Sequence, residues 1–98
     1  MSSQPVIATE EDRLLARRNI LRQLGRARPY GMRAAQLILG LEAGGFDGVA
    51  ARECEAECAD MTALGWLRRE ELEGNGALTT WTLTEAGRKA LARINQQP

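Results

Sequence analysis

The chain has 98 residues, of which 44% are hydrophobic and 27% are charged, and its 13 basic residues balance its 13 acidic ones. This composition is typical of one ordinary globular domain and excludes a fibrous or an intrinsically disordered protein. The longest apolar run, Ala34 to Leu41, is far shorter than the roughly 20 residues that span a bilayer, and no signal sequence opens the chain, so we expect a cytoplasmic protein that does not enter a membrane.

A weakly polar lead precedes the first predicted element. We expect residues 1–8 to be a flexible tail and residues 9–95 to form a single domain. Thr9 is a good helix cap because its hydroxyl is followed by three acids, which favour the positive end of a helix. We expect this first helix to run to Leu24, with Gly25 as its stop.

The first predicted helix has one apolar face. Its members are Ala16, Ile20, Leu21 and Leu24. Leu14 lies at the edge of this face at helical spacing. Arg17 also lies near it, so we expect the stem of Arg17 to pack against the core while its guanidinium reaches water.

Two further helices follow a turn at Arg28–Gly31, where Pro29 disfavours helical backbone at the preceding residue. The second predicted helix covers Met32–Leu41, and a loop with several glycines ends it. The third spans Ala50–Leu64 and stops at Gly65. Its apolar stripe consists of Ala50, Cys54, Cys58 and Met61.

A β-hairpin and a last helix complete the predicted elements. The strands are Trp66–Leu72 and Leu78–Leu83, joined by a tight turn at Asn75-Gly76, because both residues adopt positive φ easily. Alternation places Thr79, Trp81 and Leu83 on one face of the second strand and Thr80 and Thr82 on the other. Thr84 caps the last helix, which continues to Ile94.

The charged residues fall into two blocks of opposite sign. The basic block contains Arg13, Arg17, Arg18, Arg22, Arg26, Arg28 and Arg33. In residues 42–60 Arg52 stands alone against Glu42, Asp47, Glu53, Glu55, Glu57 and Asp60. Two interpretations stay open: the blocks lie on different faces and meet partners of opposite charge, or they face each other and pair internally.

The chain offers few residues of the types that catalyse reactions or bind metals. It contains no histidine, which removes the commonest general base and metal ligand. Cys54 and Cys58 share the core-facing stripe of the third helix, where cysteine behaves as a small hydrophobe, and a zinc site would need two further ligands. We therefore expect no enzyme activity, no metal and no cofactor.

The order of elements resembles the layout of winged helix-turn-helix domains. Met61–Leu67 looks like the exit from the recognition helix in that superfamily, and Trp81–Leu91 is similar to the wing-to-helix junction of bacterial regulators of the multiple-antibiotic-resistance and phenolic-acid types. Arg28–Gly31 is similar to a segment of small winged-helix proteins of Mu-like prophages. The resemblance covers residues 13–94 and implies an α+β, mainly α fold with a three-helix bundle, a β-hairpin wing and a C-terminal helix.

The resemblance implies a small DNA-binding protein like a transcription regulator, phage-derived, with double-stranded DNA as its partner. The third helix would then enter the major groove with Arg52 as the base-reading residue. The expected backbone contacts are Arg28, Arg33, Arg68 and Arg69, with Tyr30 nearby. Opposite the cysteine stripe this helix presents Arg52, Ala56, Ala59 and Ala63. The acids that flank them, Glu53, Glu55 and Asp60, would bring negative charge toward the phosphates, which disfavours this binding mode.

A protein-interaction module is the alternative function. Opposite its cysteine stripe, the third helix presents Ala56, Ala59 and Ala63, whose small side chains allow another helix to approach closely. The flanking acids would complement an arginine-rich surface on a second copy or on another protein. A homodimer and a separate protein partner both remain open.

Overall fold

The computed structural model describes residues 4–71 and 78–96, so the predicted turn at Asn75-Gly76 lies outside the described residues. The elements, in chain order, are α1 (Glu10–Ala27), α2 (Ala34–Ala43), α3 (Ala51–Ala63), β1 (Leu67–Glu71), β2 (Thr79–Leu83) and α4 (Glu85–Asn95). Four helices and one two-stranded antiparallel sheet make a mainly helical α+β fold, as predicted, and its layout is compatible with a winged helix.

The first helix begins where the sequence predicts. The Thr9 hydroxyl accepts a hydrogen bond from the Asp12 N–H at 3.0 Å, and the Asp12 carboxylate accepts one from the Thr9 N–H at 3.2 Å. These two bonds form a capping box that satisfies otherwise unpaired groups of the first turn. The backbone N–H of Thr9 is also the main reason why the pKa of Asp12 is lowered.

The predicted end of this helix is wrong. α1 continues through Gly25 to Ala27, and it ends there because Pro29 disfavours helical backbone at Arg28, whose ψ is 140°. Gly25 instead allows a close approach of the last helix, since a Cβ on it would lie 3.2 Å from a methyl group of Leu91.

The core lies between α1, α2, α3 and the sheet. Its largest fully buried side chains are Ile20, Leu21, Leu24, Leu37, Leu41, Met61, Cys54 and Cys58. Ile7, which we expected in a tail, is only 9% exposed and packs on this core, so the packed chain begins before Thr9. Leu14 was expected at the edge of the apolar face. It is 58% exposed, so the buried face of α1 does not extend to this residue.

The hairpin is anchored to both of its neighbours. Leu67 pairs with Leu83 at the base of the sheet, and β2 buries Thr79, Trp81 and Leu83 on one face, which confirms the predicted alternation. Met32, just before α2, exchanges two backbone hydrogen bonds with Trp81, at 2.9 and 3.0 Å. The chain between α1 and α2 therefore lines the edge of β2 that β1 leaves open.

Thr84 joins the end of α3 to the start of α4. Its hydroxyl accepts a hydrogen bond from the Gly87 N–H at 3.0 Å, which confirms it as the predicted cap. The same hydroxyl donates to the carbonyl of Gly65 at 2.6 Å. Gly65 has a φ of +82°, a left-handed conformation that glycine adopts without strain, and it ends α3 as predicted. None of the helices in residues 4–71 and 78–96 is long and apolar enough to cross a membrane.

Candidate nucleic-acid interface

Part of the acidic block of α3 is neutralised by α1. The Arg17 guanidinium lies 2.8 Å from the carboxylate of Glu57 and 3.2 Å from that of Asp60. Arg13 reaches the same two carboxylates at 3.5 and 3.1 Å. The guanidinium of Arg17, which we expected to reach water, is therefore held between two acids, and internal pairing of the two charged blocks is real for these four residues.

Glu53 is also withdrawn from the outer surface of α3. Its carboxylate accepts hydrogen bonds from the backbone N–H of Ile7 and from that of Ala50, both at 2.9 Å. Partial burial raises the pKa of Glu53, but the backbone N–H donors outweigh this effect, so the pKa is lowered overall. We expected this acid to flank Arg52 at the interface, whereas it ties the chain before α1 to the start of α3.

The outer surface of α3 consequently carries small side chains and little charge. Ala56, Ala59 and Ala63 are all exposed, on the same side of the helix as Arg52. We call these three residues the alanine strip. Glu55 is exposed at its border and makes no ion pair within the described residues.

Two helix starts open onto one cleft of about 340 Å³, which we call the helix-start cleft. It is lined by Arg33, Ala34, Ala35, Ile38, Ala51, Glu55, Thr79 and Trp81. Ala34 and Ala51 are the first residues of α2 and α3, and the residues before them supply no side-chain cap. The side chains of Gln36 and Glu53 accept hydrogen bonds from the backbone N–H groups of Arg33 and Ala50, both at 2.9 Å. The N–H groups of Ala34 and Ala51, which follow, are the ones that remain for an anion, in a cleft that both Arg33 and the acidic Glu55 line.

Two buried polar groups border the same cleft without a partner. Thr79 Oγ1 and Trp81 Nε1 have no hydrogen-bond partner among the described residues, although Thr79 is 6% and Trp81 4% exposed. Buried polar groups are normally paired. A third such atom among the described residues, Arg18 Nε, lies outside this cleft. Alternation predicted the burial of both residues, but no pattern in the chain signals that their polar atoms lack partners.

Arg28 and the arginines of the hairpin lie in a different place. Arg28 and Arg68 line a second cleft, also of about 340 Å³, together with Thr82 and Thr84. Arg68 lies 2.8 Å from the carboxylate of its own strand neighbour Glu70, which neutralises much of its charge.

Arg69 is neutralised in the same way, by Glu71 at 3.3 Å. The structure therefore groups Arg33 with the starts of α2 and α3, and Arg28 with Arg68. Of the five predicted DNA contacts, Arg28, Arg33 and Arg52 make no ion pair within the described residues. Tyr30, between the first two helices, is 76% exposed.

The two cysteines belong to the core, as predicted. Both are fully buried, and the hydrogen bond to Cys54 together with burial raises the pKa of the Cys58 thiol. The Cys58 thiol therefore stays protonated, which makes it a poor nucleophile and a poor metal ligand. Within the described part of the chain, no three residues of the metal-binding types come together.

The chain matches no model of a protein family and no curated protein.

Proposed function

We propose that the protein is a small winged-helix protein that binds double-stranded DNA, as phage-derived transcription regulators do. The observation that carries this proposal is the helix-start cleft, where α2 and α3 begin side by side next to Arg33. Open backbone N–H groups and the helix dipole make a helix start a favourable site for a phosphate. Two such starts and the guanidinium of Arg33 favour a phosphate of the DNA backbone here, and the carboxylate of Glu55 in the same lining opposes it.

The charge on α3 supports the same orientation. Because Glu57 and Asp60 pair with α1 and Glu53 accepts backbone hydrogen bonds, the acids that would repel DNA are largely neutralised or turned inward. The alanine strip allows the helix backbone to lie close to base edges, and Arg52 is the side chain that can reach them. Glu55 and Asp60 are the exposed acids of α3 that oppose this contact, and of the two only Asp60 has arginine partners within the described residues.

The number of unpaired arginines sets the expected strength of binding. Arg28, Arg33 and Arg52 would neutralise about three phosphates, which gives a slope of about −2.7 for log K against log salt. Affinity should then fall about 40-fold between 50 and 200 mM salt. We expect a dissociation constant for random duplex of about 1 to 100 μM, the usual range for nonspecific binding.

The experiment is a fluorescence-anisotropy titration of a random-sequence duplex at several salt concentrations. Arg33→Gln should weaken binding several-fold and reduce the magnitude of the salt slope by about 1, since it removes one phosphate contact. Arg93→Gln is the matched control, because Arg93 is an exposed arginine on α4 that lines neither cleft described above. The absence of any binding at 50 mM salt would overturn the proposal, and so would equal losses in the two variants.

Exposure of the alanine strip favours a second candidate function, in which this surface holds a protein partner or a second copy of the chain. Ala59→Glu tests it, because the added side chain would fill the centre of the strip and prevent the close approach of another helix. Self-association is measured as mass in solution. If the unsubstituted chain binds no DNA but self-associates, and Ala59→Glu abolishes the self-association, the second candidate is favoured. A monomer that binds DNA would exclude self-association as the use of this surface.

A further inference from the structure

We propose that the cleft between α1 and α4 binds a small organic anion that carries a compact apolar group, such as an aromatic phosphate ester. This α1–α4 cleft has a volume of about 470 Å³, within the range of small-molecule sites. It is lined by Arg22, Gly25, Arg26, Arg28, Leu83, Arg88, Leu91, Ala92 and Asn95. The inference stands without the proposed DNA binding, because this cleft shares only Arg28 with the proposed DNA contacts.

Four arginines converge on this cleft with little to neutralise them. Arg88 pairs with Glu85 at 3.2 Å, and Arg22 Nε donates to the side-chain oxygen of Asn95, also at 3.2 Å. Arg26 and Arg28 make no ion pair in residues 4–71 and 78–96. Such a concentration of like charge repels itself, and a bound anion would relieve that repulsion.

The base of the cleft is apolar. Leu83 is only 3% exposed, Leu91 packs partly on the core, and Ala92 is a small residue on α4. Gly25 has no side chain here, and methyl groups of Leu91 and Leu83 lie 3.2 and 3.8 Å from the position that its Cβ would take, so α1 and α4 pack closely over these leucines. An inorganic ion would leave this surface in contact with water, whereas an anion with a ring or branched group would cover it.

Guanidinium groups favour phosphate and carboxylate, because their planar donors form paired hydrogen bonds with two oxygens at once. A ligand that places its anionic end among the arginines and its apolar end on Leu83 and Leu91 uses both halves of the cleft. The arrangement therefore selects for size and charge together.

The test is a titration of the ¹⁵N-labelled chain with phenyl phosphate, followed by NMR in the absence of DNA. We expect the backbone amides of Gly25 and Ala92 to shift, with a dissociation constant on the order of 1 mM for a ligand of about ten heavy atoms. Inorganic phosphate and phenol, which carry only one half of the ligand each, should bind at least about fivefold more weakly. Equal binding of either compound, or no shift with 10 mM phenyl phosphate, would overturn the proposal.

Two pairs of variants locate the site. Arg26→Gln should weaken phenyl phosphate binding about tenfold, while Arg93→Gln, which removes an arginine of α4 outside the lining, should leave it within twofold. Ala92→Glu places a carboxylate in the cleft and should abolish binding, whereas Ala86→Glu adds the same charge at an exposed position of α4 outside the cleft. The spectra of the free variants verify that each is folded. Equal losses within either pair would show general charge attraction and overturn the site.

Discussion

The arginines at the two ends of the basic block differ in whether they pair with carboxylates. Arg13 and Arg17 point toward α3 and share the carboxylates of Glu57 and Asp60. Farther along, Arg26 and Arg28 border an open cleft and meet no carboxylate within the described residues. A run of like residues in the sequence is therefore divided between an internal ion-pair cluster and a surface that is free to bind anions.

The helical repeat produces this division. Arg13 and Arg17 are four residues apart and lie on the side of α1 that faces α3. Arg18, Arg22 and Arg26 follow the same spacing on another side of the helix. Net charge alone does not distinguish the two sets; the placement of acids opposite one of them does. Substitutions in one set should change stability, and substitutions in the other should change binding.

The largest effect is expected at the paired end. Arg17→Met keeps an apolar stem but leaves the Glu57 carboxylate, which is 9% exposed, with only the more distant Arg13. Breaking a buried ion pair by removing one partner is strongly destabilising, because the remaining charge stays out of water. Since Arg13 compensates in part, we expect the free energy of unfolding to fall by about 2 kcal/mol, measured by urea denaturation.

Arg22→Met is the matched control, because Arg22 is exposed on the other side of the same helix. It should change stability by less than about 0.5 kcal/mol. Adding Glu57→Gln to the Arg17→Met chain removes the stranded charge and should restore much of the loss. Equal destabilisation by the two arginine variants would show that the paired and open ends of the block do not differ.

Much of the fold follows from local chemistry that the sequence displays. Thr9 and Thr84 are caps with their expected partners, and Gly65 ends its helix in the left-handed region as predicted. The prediction that α1 stops at Gly25 was wrong because a glycine that ends a helix and a glycine that lets a neighbouring helix approach look the same in the sequence. Only the position of Leu91 on a distant element decides between the two.

The candidate site was less predictable for the same reason. Arg33 and Arg52 can be proposed from residue type and position along their helices. The convergence of two helix starts, however, depends on how α2 and α3 pack. The role of Glu53 likewise depends on Ile7, a residue 46 positions away that was expected in a tail. Contacts between distant segments decided which acids remain at the surface.

A smaller effect, with a defined pH dependence, is expected at Glu53. Its folded-state pKa is lowered, so the carboxylate stabilises the fold above its ordinary pKa of about 4.3 and loses that contribution as pH falls through the lower folded value. Glu53→Gln should therefore cost about 1 kcal/mol at pH 7 and much less at pH 3. Urea denaturation of both chains at these two pH values measures the difference.

Glu55→Gln is the control for this measurement, because Glu55 is exposed on the same helix and caps nothing in the described structure. It should change stability by less than about 0.3 kcal/mol at either pH. A Glu53→Gln effect that is the same at pH 3 and pH 7 would contradict a role for the ionised carboxylate.

The smallest effect is expected for the arginines of the hairpin, and it refines the distinction between paired and open guanidinium groups. Arg69 already lies 3.3 Å from Glu71, so a DNA phosphate would have to compete with that carboxylate. Arg69→Gln should change the affinity for random duplex by less than about twofold, against the several-fold loss for Arg33→Gln. Glu71→Gln should strengthen binding slightly, since it frees the guanidinium. A loss for Arg69→Gln as large as that for Arg33→Gln would mean that exposed neighbouring carboxylates do not decide which arginines bind. The hairpin would then have to be included in the interface.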